Sequence, residues 1–220
     1  MKRWKYMALG IACAAPFAQW GDAAAAPNPS GPTSRPNVIV VMTDDQGYGD
    51  LACHGHPFAK TPNLDRLHAQ SVRFTNFHVS PFRSGVTHVG LGQAMISGDA
   101  YTLAQCFADN GYRTALFGKW HLGSSYPQRP QDKGFQECLN WWGAHPGQAP
   151  DHWANTGRTD LRLLHNGTWK KREGFVDDIA FADAMRWMDR HGNRPFFLFL
   201  PTSSPHGPFH GCPDEYQKPY

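Results

Sequence analysis

Short apolar runs separated by polar, turn-forming residues are the main pattern of this chain. The run at residues 37–42 is continuous and rich in β-branched residues, which is typical of a strand buried on both faces of a parallel sheet. Apolar runs at 112–117 and 195–200 predict two further strands, and alternation at 72–79 predicts another.

Three segments between these runs have the spacing of amphipathic helices. One begins at the Thr61-Pro62 step, where proline suits the first helical turn. The second covers residues 102–110 and is stopped by Gly111, and the third covers residues 177–191, with apolar residues at three-residue steps. Strand, helix and strand in repeated order predict an α/β fold with a mainly parallel sheet flanked by helices.

Residues 136–172 fit neither the helical nor the strand period. They hold four tryptophans among glycines and histidines, namely Trp141, Trp142, Trp153 and Trp169. Two interpretations stay open for this stretch. It is either an excursion packed over the sheet or a loop that contacts substrate, since exposed aromatic residues often mark binding surfaces.

The first residues have the pattern of an export signal. A positively charged start is followed by an apolar run at 7–17 and by small residues at 23–26. The run is too short to cross a bilayer, so no membrane span is expected. We therefore predict a signal peptide at 1–26, a linker rich in proline, serine and glycine at 27–35, and a periplasmic or extracellular location for the domain that follows.

Composition and charge restrict the possible function. Of the 220 residues, 40% are hydrophobic and 18% are charged, a balance that allows a buried core. The formal net charge of +3 is small and evenly spread, which argues against nucleic acid and anionic membranes as partners. The 18 prolines, 22 glycines and 8 tryptophans suit an enzyme whose functional groups lie on loops.

Four cysteines remain after the predicted signal, at Cys53, Cys106, Cys138 and Cys212. In an exported protein they allow two disulfides, in any of three pairings. Their wide spacing argues against a zinc site. Cys106 is expected to pack in the interior, because it has helical spacing with neighbouring apolar residues.

Polar side chains follow three of the predicted strands. Asp44 and Asp45 come after the first, Lys119 and His121 after the strand at 112–117, and His206 after the last. In an open parallel sheet, ligands bind outside the carboxyl ends of the strands. These residues are therefore expected to converge on one site, although they lie far apart along the chain.

Each of these groups has a functional and a plainer interpretation. Two adjacent carboxylates suit calcium or magnesium, but they also occur in solvated turns and helix caps. Lys119 supplies a positive charge for an anionic ester and His121 a proton or hydrogen bond, or they are a strand-end lysine and a surface histidine. His206, in a proline-rich loop, is either a fixed general acid or part of a turn.

Several segments in order carry a resemblance to the sulfatases, which belong to the wider alkaline-phosphatase superfamily. The opening motif is 35–50, from Arg35-Pro-Asn-Val through Thr43-Asp-Asp-Gln-Gly-Tyr-Gly-Asp50; the further segments are 61–67, 72–77, the Gly-Lys-Trp-His signature within 111–123, and Pro205-His-Gly-Pro-Phe209. Ordered signatures of this kind make coincidence very improbable. The resemblance identifies residues 36–220 as part of an arylsulfatase-like N-terminal domain.

The resemblance implies a role for each matching residue. Asp44 and Asp45 would bind calcium or magnesium, Lys119 and His206 would contact the sulfate ester, and His121 would orient the nucleophile. The ligand would be a small sulfate ester or a sulfated carbohydrate. Sulfatases hydrolyse such esters with a formylglycine made from a cysteine in a Cys-x-Pro-Ser-Arg segment, and positive groups stabilise the charge that develops on the oxygens.

The sequence departs from the family where that nucleophile segment would stand. After Phe77–Pro81, residues 82–87 follow directly, as if about a dozen residues, the length of one helix with its turn, were lost. No other cysteine has the required motif, so no nucleophile is found. Further metal ligands and the remainder of the fold would lie beyond Tyr220. We therefore expect weak metal binding, exposed apolar surface and no turnover.

Two alternatives to an inactive sulfatase remain open from the sequence. One is a non-catalytic module that binds sulfate or another anion through the lysine and histidines. The other is a phosphoesterase of the same superfamily, which also needs a Ser, Thr or Cys nucleophile. Thr75 and Thr87 are candidates for that role only by residue type.

Overall fold

A computed structural model describes residues 35–77, 95–207, 209 and 211–218. Six strands of this part of the chain form one sheet in the order β1-β6-β2-β3-β4-β5, with helices beside it. The strands are β1 (Val38–Met42), β2 (Arg113–Phe117), β3 (Glu137–Asn140), β4 (Arg162–His165), β5 (Thr168–Lys171) and β6 (Phe196–Pro201), and the helices are α1 (Pro62–Ala69), α2 (Leu103–Asp109), α3 (Val176–His191) and α4 (Asp214–Gln217).

The sheet has a parallel part and an antiparallel part. β1, β6, β2 and β3 are all parallel neighbours, so their carboxyl ends lie along one edge. The hairpin of β4 and β5 joins β3 in the antiparallel sense. The predicted α/β fold with a mainly parallel sheet flanked by helices is confirmed.

The core lies around β2 and β6, whose continuous apolar runs are buried on both faces. On one face they pack against α3, and on the other against α2 and aromatic side chains. The buried stripe of α3 consists of Ile179, Ala180, Ala184 and Trp187, at helical spacing. The three-residue row read from the sequence drifts away from this stripe, and Met185 is exposed.

Most predicted elements occur within about a residue of their expected bounds, namely β1, α1, α2, β2, α3 and β6. The predicted strand at 72–79 is wrong for residues 72–77, which form irregular structure and a turn; residues 78 and 79 lie outside the described part. Val72 and Phe74 are largely exposed there, and residues 72–77 pair with no strand of the described part. Alternation of apolar and polar residues was therefore not sufficient to produce a strand.

Residues 136–172 contain strands that their sequence pattern did not predict. It supplies β3, β4 and β5 together with a long loop between β3 and β4. Both interpretations given above therefore missed the strands. These strands are only four residues each, too short for their alternation to stand out among the glycines and tryptophans.

The four cysteines within the described residues are free thiols, so no two of them form a disulfide. Cys138 lies in the core, and burial raises the pKa of its thiol well above the ordinary value. Cys106 is only partly buried. None of the helices within the described ranges combines the length and apolarity that a membrane crossing needs. The predicted signal at 1–26 lies outside these ranges.

Candidate functional site

Three loops meet at the carboxyl edge of the parallel strands. Asp44 follows β1, His206 follows β6 and Lys119 follows β2, and these strands are adjacent in the sheet. Backbone hydrogen bonds tie the loops together: the Asp44 amide donates to the Ser204 carbonyl at 3.1 Å, and the Lys119 amide donates to the Pro201 carbonyl at 2.8 Å. The expected convergence of three strand ends is therefore a feature of the fold.

Gly118 allows the loop after β2 to pass close to the end of β6. Its φ is +132°, and a Cβ at this position would lie 2.0 Å from the carbonyl oxygen of Pro201. Only glycine fits such an approach. The Gly118-Lys119 step of the Gly-Lys-Trp-His signature therefore places Lys119 directly beside the loop that follows β6.

Two side-chain contacts join the residues predicted from the sequence. Lys119 Nζ donates to Asp44 Oδ2 at 2.7 Å, and the two side chains are only 13% and 19% exposed. His206 Nε2 lies 3.4 Å from Asp45 Oδ2, and the Asp45 side chain is 72% exposed. Lys119, His206 and the acid pair thus form one cluster, with Asp45 on its solvent side.

His121 lies among the same groups and is partly buried. Burial lowers its pKa, and the positive charge of Lys119 lowers it further, while the carboxylate of Asp44 partly compensates; His206 and His145 also act on this pKa. The Nε2 atom of His121 is buried and has no hydrogen-bond partner within the described ranges. The cluster therefore contains a ring nitrogen whose hydrogen-bonding capacity these residues leave unused.

The loop that carries His206 is fixed by two buried charges that the sequence analysis did not single out. The guanidinium of Arg158 donates to the carbonyls of Ser203, His206 and Gly207. The carboxylate of Asp177 accepts from the amides of Ser203 at 2.7 Å and of the next residue at 2.9 Å. Burial lowers the pKa of Arg158, and the carboxylate of Asp177 opposes that effect.

His145 is a further residue of the site that the sequence analysis missed. Its ring centroid lies 6.2 Å from that of His206. It follows β3, the strand next to β2, so the same rule about strand ends places it here. The sequence signal was weak because β3 itself was not recognised.

The acid pair has the right chemistry for a hard divalent cation, since both donors are carboxylates. Together the two carboxylates have four oxygens, fewer than the six to eight that calcium takes, and one oxygen of Asp44 is already bound by Lys119. Within the described ranges, no group of three or more His, Cys, Asp or Glu side chains is arranged to hold a metal. Asp44 and Asp45 by themselves therefore supply too few oxygens for a complete calcium site.

The structure describes one of the two candidate nucleophiles. Thr75 lies in an exposed turn after the irregular residues 72–74. Thr87 and the segment after Pro81, where the nucleophile motif was expected, lie outside the described residues.

Comparison with known proteins agrees with the resemblance read from the motifs. A family model described as Sulfatase matches residues 36–220. Bovine arylsulfatase A is 31% identical over 214 residues, which cover 80% of this chain and 42% of the relative. The chain thus spans about two fifths of the length of this relative.

Solved structures show the same architecture. A protein in complex with its substrate D-glucosamine-2-N,6-O-disulfate is 25% identical with a TM-score of 0.59, covering 79% of this chain and 35% of that one. Ps i-CgsB in complex with k-i-k-neocarrahexaose is 22% identical with a TM-score of 0.63, covering 83% and 48%. From the matched family model and the similarity to arylsulfatase A, this chain belongs to the sulfatase family.

Proposed function

We propose that this chain forms the sulfate-ester-binding part of a sulfatase-type site and that, in the sequence as it stands, it binds such esters without hydrolysing them. One observation carries the proposal. In a sulfatase-family chain, a partly buried lysine and two histidines converge with an acid pair at the ends of three neighbouring parallel strands.

The positive and neutral donors suit the oxygens of a sulfate group. Lys119 has a fixed charge in a partly buried position, where its attraction to an anion is stronger than in bulk water. His121 offers an unpartnered ring nitrogen, and His206 is held by its rigid loop. Such preorganised groups stabilise an anion without the cost of rearrangement.

A divalent cation, calcium or magnesium, would be held by Asp44 and Asp45 and would supply positive charge opposite the ester oxygens. With only these two ligands, binding would be weak, since affinity rises with the number and rigidity of the ligands. Lys119 then has two functions: it neutralises Asp44 in the absence of a cation and remains close enough to contact an anion.

The proposed absence of turnover follows from the lack of a nucleophile in the sequence. None of Cys53, Cys106, Cys138 and Cys212 precedes the Pro/Ala-x-Arg pattern of the family's formylglycine segment. Without an attacking group, positioning and electrostatics have no covalent step to accelerate. The same reasoning applies to phosphate esters, so the phosphoesterase alternative needs a nucleophile as well.

The ligand we propose is a sulfated carbohydrate or another sulfate ester. The support is that one structural relative was solved with the substrate D-glucosamine-2-N,6-O-disulfate. We also propose an exported protein, periplasmic or extracellular, on the charged and apolar pattern of residues 1–26.

Calorimetry with D-glucosamine-2-N,6-O-disulfate tests the anion site. We expect a heat of binding that is lost in Lys119→Ala and retained in Lys218→Ala. Lys218 is the matched control, because it is an exposed lysine in the turn after α4. Absence of binding by the wild type at millimolar ligand would reject the anion site.

An assay with an aryl sulfate and an aryl phosphate, with and without calcium, tests the second half of the proposal. We expect no turnover above the buffer rate with either ester. Calcium-dependent release of the phenol from the sulfate would overturn the non-hydrolytic reading, and release from the phosphate alone would favour the phosphoesterase.

A further inference from the structure

A cluster of aromatic rings lies on the β3–β5 side of the sheet and is not used by the anion site. We call it the indole platform; it consists of Trp142, His152, Trp153 and Trp169. The ring centroids of Trp142 and Trp169 are 5.3 Å apart, those of His152 and Trp169 are 5.0 Å apart, and those of His152 and Trp153 are 5.5 Å apart. The four rings form one connected surface.

This platform is not part of the buried core. Trp153 is 89% exposed, and the other three rings are only partly buried. Burying a tryptophan ring gives one of the largest hydrophobic free energies of any side chain. Because the Trp153 indole is almost fully exposed, that free energy remains available for binding a ligand or partner.

A small cavity adjoins the platform. Its volume is about 60 Å³, and its lining includes Trp142, Asn140, Gln131 and Leu164. Such a volume holds a few groups the size of water, such as hydroxyls, since each needs about 10–15 Å³. The cavity therefore accepts part of a polar ligand rather than a whole one.

Asn140 gives this cavity a polar atom without a partner. Asn140 is 3% exposed, and no group in the described part of the chain donates to its Oδ1, although Nδ2 donates to the Trp141 carbonyl. Asn140 is the register partner of Leu164, which is the register partner of Trp169, so the three side chains share one face of the sheet. An unsatisfied buried acceptor is unfavourable until a donor reaches it.

One rigid loop connects the platform with the anion site. The carboxylate of Asp151 accepts from the amides of Trp142 and Gly147 and from the side chain of Asn155, which fixes the loop from inside. His145 on this loop reaches the ring of His206. Trp142 and His145 are three residues apart, so their backbones are at most about 11 Å from each other.

These features together describe a ligand with three properties. It has an anionic ester group at one end, a flat ring with an apolar face, and hydroxyl donors around that ring. A sulfated pyranose has all three, whereas an aryl sulfate lacks the hydroxyls that Asn140 Oδ1 would accept from. We propose that the indole platform and the Asn140 cavity form a pyranose-binding subsite, so that the ligand is a sulfated carbohydrate. This inference rests on the anion site of the proposed function.

Three ligands separate the two ideas in calorimetry: inorganic sulfate, D-glucosamine-2-N,6-O-disulfate and 4-nitrophenyl sulfate. We expect the wild type to bind the sulfated sugar more tightly than either of the others. Trp153→Ala should weaken sugar binding about 2- to 10-fold, the range of one aromatic contact, and leave inorganic sulfate unchanged. Phe58→Ala, which removes another exposed ring, is the matched control and should change neither.

Asn140→Leu is the second variant and keeps the volume while removing the acceptor. It should weaken sugar binding without affecting inorganic sulfate, and circular dichroism checks that the fold is kept. No heat with any of the three ligands would reject the anion site. Equal affinities for sulfate and the sugar, unchanged in Trp153→Ala, would reject the subsite alone. Tighter binding of 4-nitrophenyl sulfate, lost in Trp153→Ala, would overturn the carbohydrate assignment.

Discussion

The segment at 43–77 and the sheet region at 113–201 contain similar apolar side chains but bury them very differently. No residue of 43–77 is buried, whereas β2 and β6 are buried along almost their whole length. Apolar side chains exposed in the first region are Tyr48, Phe58, Leu64, Leu67, Val72, Phe74 and Phe77. Apolar content alone therefore does not produce a core; a partner surface is required as well.

Different forces hold the helices of the two regions. α1 is tethered by polar contacts: the Cys53 amide and the Thr61 hydroxyl both donate to Asp65, at 3.0 Å and 2.8 Å. α3 is held by a buried apolar stripe against β2 and β6. A short helix that lacks an apolar contact gains little stability in water, so α1 depends on its tethers.

The candidate site crosses the boundary between these regions. Asp44 and Asp45 belong to the loosely packed segment, whereas Lys119 and His206 are held by the buried strands and by Arg158. The groups that would bind an anion are therefore better preorganised than the groups that would bind a cation.

A matched pair of leucine substitutions tests the comparison with the largest expected effect. Leu198→Ala, at a fully buried position of β6, should lower the free energy of unfolding by about 2–5 kcal/mol, because it leaves a cavity in the core. Leu67→Ala, at a position that is 56% exposed, should change it by less than about 0.5 kcal/mol. Urea unfolding followed by circular dichroism measures both.

Equal losses in the two leucine variants would contradict the contrast between the regions. A large loss in Leu67→Ala would mean that α1 is covered in solution. Hydrogen exchange of the α1 amides then identifies whether protection extends to the whole helix, since locally unstable segments exchange through local opening.

Neighbouring acids at the start of α3 test how the His206 loop is held. Asp177→Asn replaces one of the two buried carboxylate oxygens that accept from backbone amides by an NH2 group and removes a charge near Arg158, and it should cost about 1.5–3 kcal/mol. It should also weaken binding of inorganic sulfate, because the loop loses its fixed position. Asp178→Asn is the control: this exposed carboxylate accepts only from the Tyr216 hydroxyl among its resolved hydrogen bonds.

Calorimetry with sulfate and urea unfolding are needed for both variants. If Asp177→Asn binds sulfate as the wild type does while losing stability, Asp177 supports the fold without positioning His206. If Asp178→Asn loses as much as Asp177→Asn, the effect belongs to the first turn of the helix and not to the loop.

The strand ends of the site were predictable because each depends only on the residues of its own segment and not on contacts with distant parts of the chain. A continuous apolar run predicts a buried strand, and a polar residue after it lies at the carboxyl edge whichever neighbours the strand has. Asp44, Lys119 and His206 were therefore found from the sequence, and Gly118 explains why Lys119 comes so close to the next loop.

Arg158 and Asp177 were not found because their positions depend on contacts over long separations, and His145 was not found because the strand before it, β3, was not recognised. Arg158 meets carbonyls 45 to 49 residues later, and nothing in its own neighbourhood indicates such a partner. Asp177 appears in the sequence as an ordinary acid at a helix start. The strand predicted at 72–79 failed for the opposite reason: its pattern is local, but residues 72–77 pair with no strand of the described ranges.

The smallest expected effect concerns an ion pair at the surface of the packed region. Asp183 on α3 accepts from Arg172, which follows β5, and from Arg186. Burial raises the pKa of Asp183, but the hydrogen bonds from the two guanidiniums outweigh it and leave the pKa below its ordinary value. The folded-state pKa therefore lies below the unfolded value of about 3.9, so the stabilisation is complete above that pH and is lost as the pH falls through the folded pKa.

Asp183→Asn should thus cost about 0.5–1 kcal/mol at pH 7, because both arginines are partly exposed and screened. Urea unfolding from pH 7 to pH 3 should show a constant gap between the wild type and this variant above about pH 5. The gap should close as the pH falls below about 4, and Asp189→Asn, at an exposed position of the same helix, should show no such gap. A gap that widens towards pH 3 would mean that folding stabilises the protonated carboxyl. The ion pair would then not contribute to the stability of the packed region.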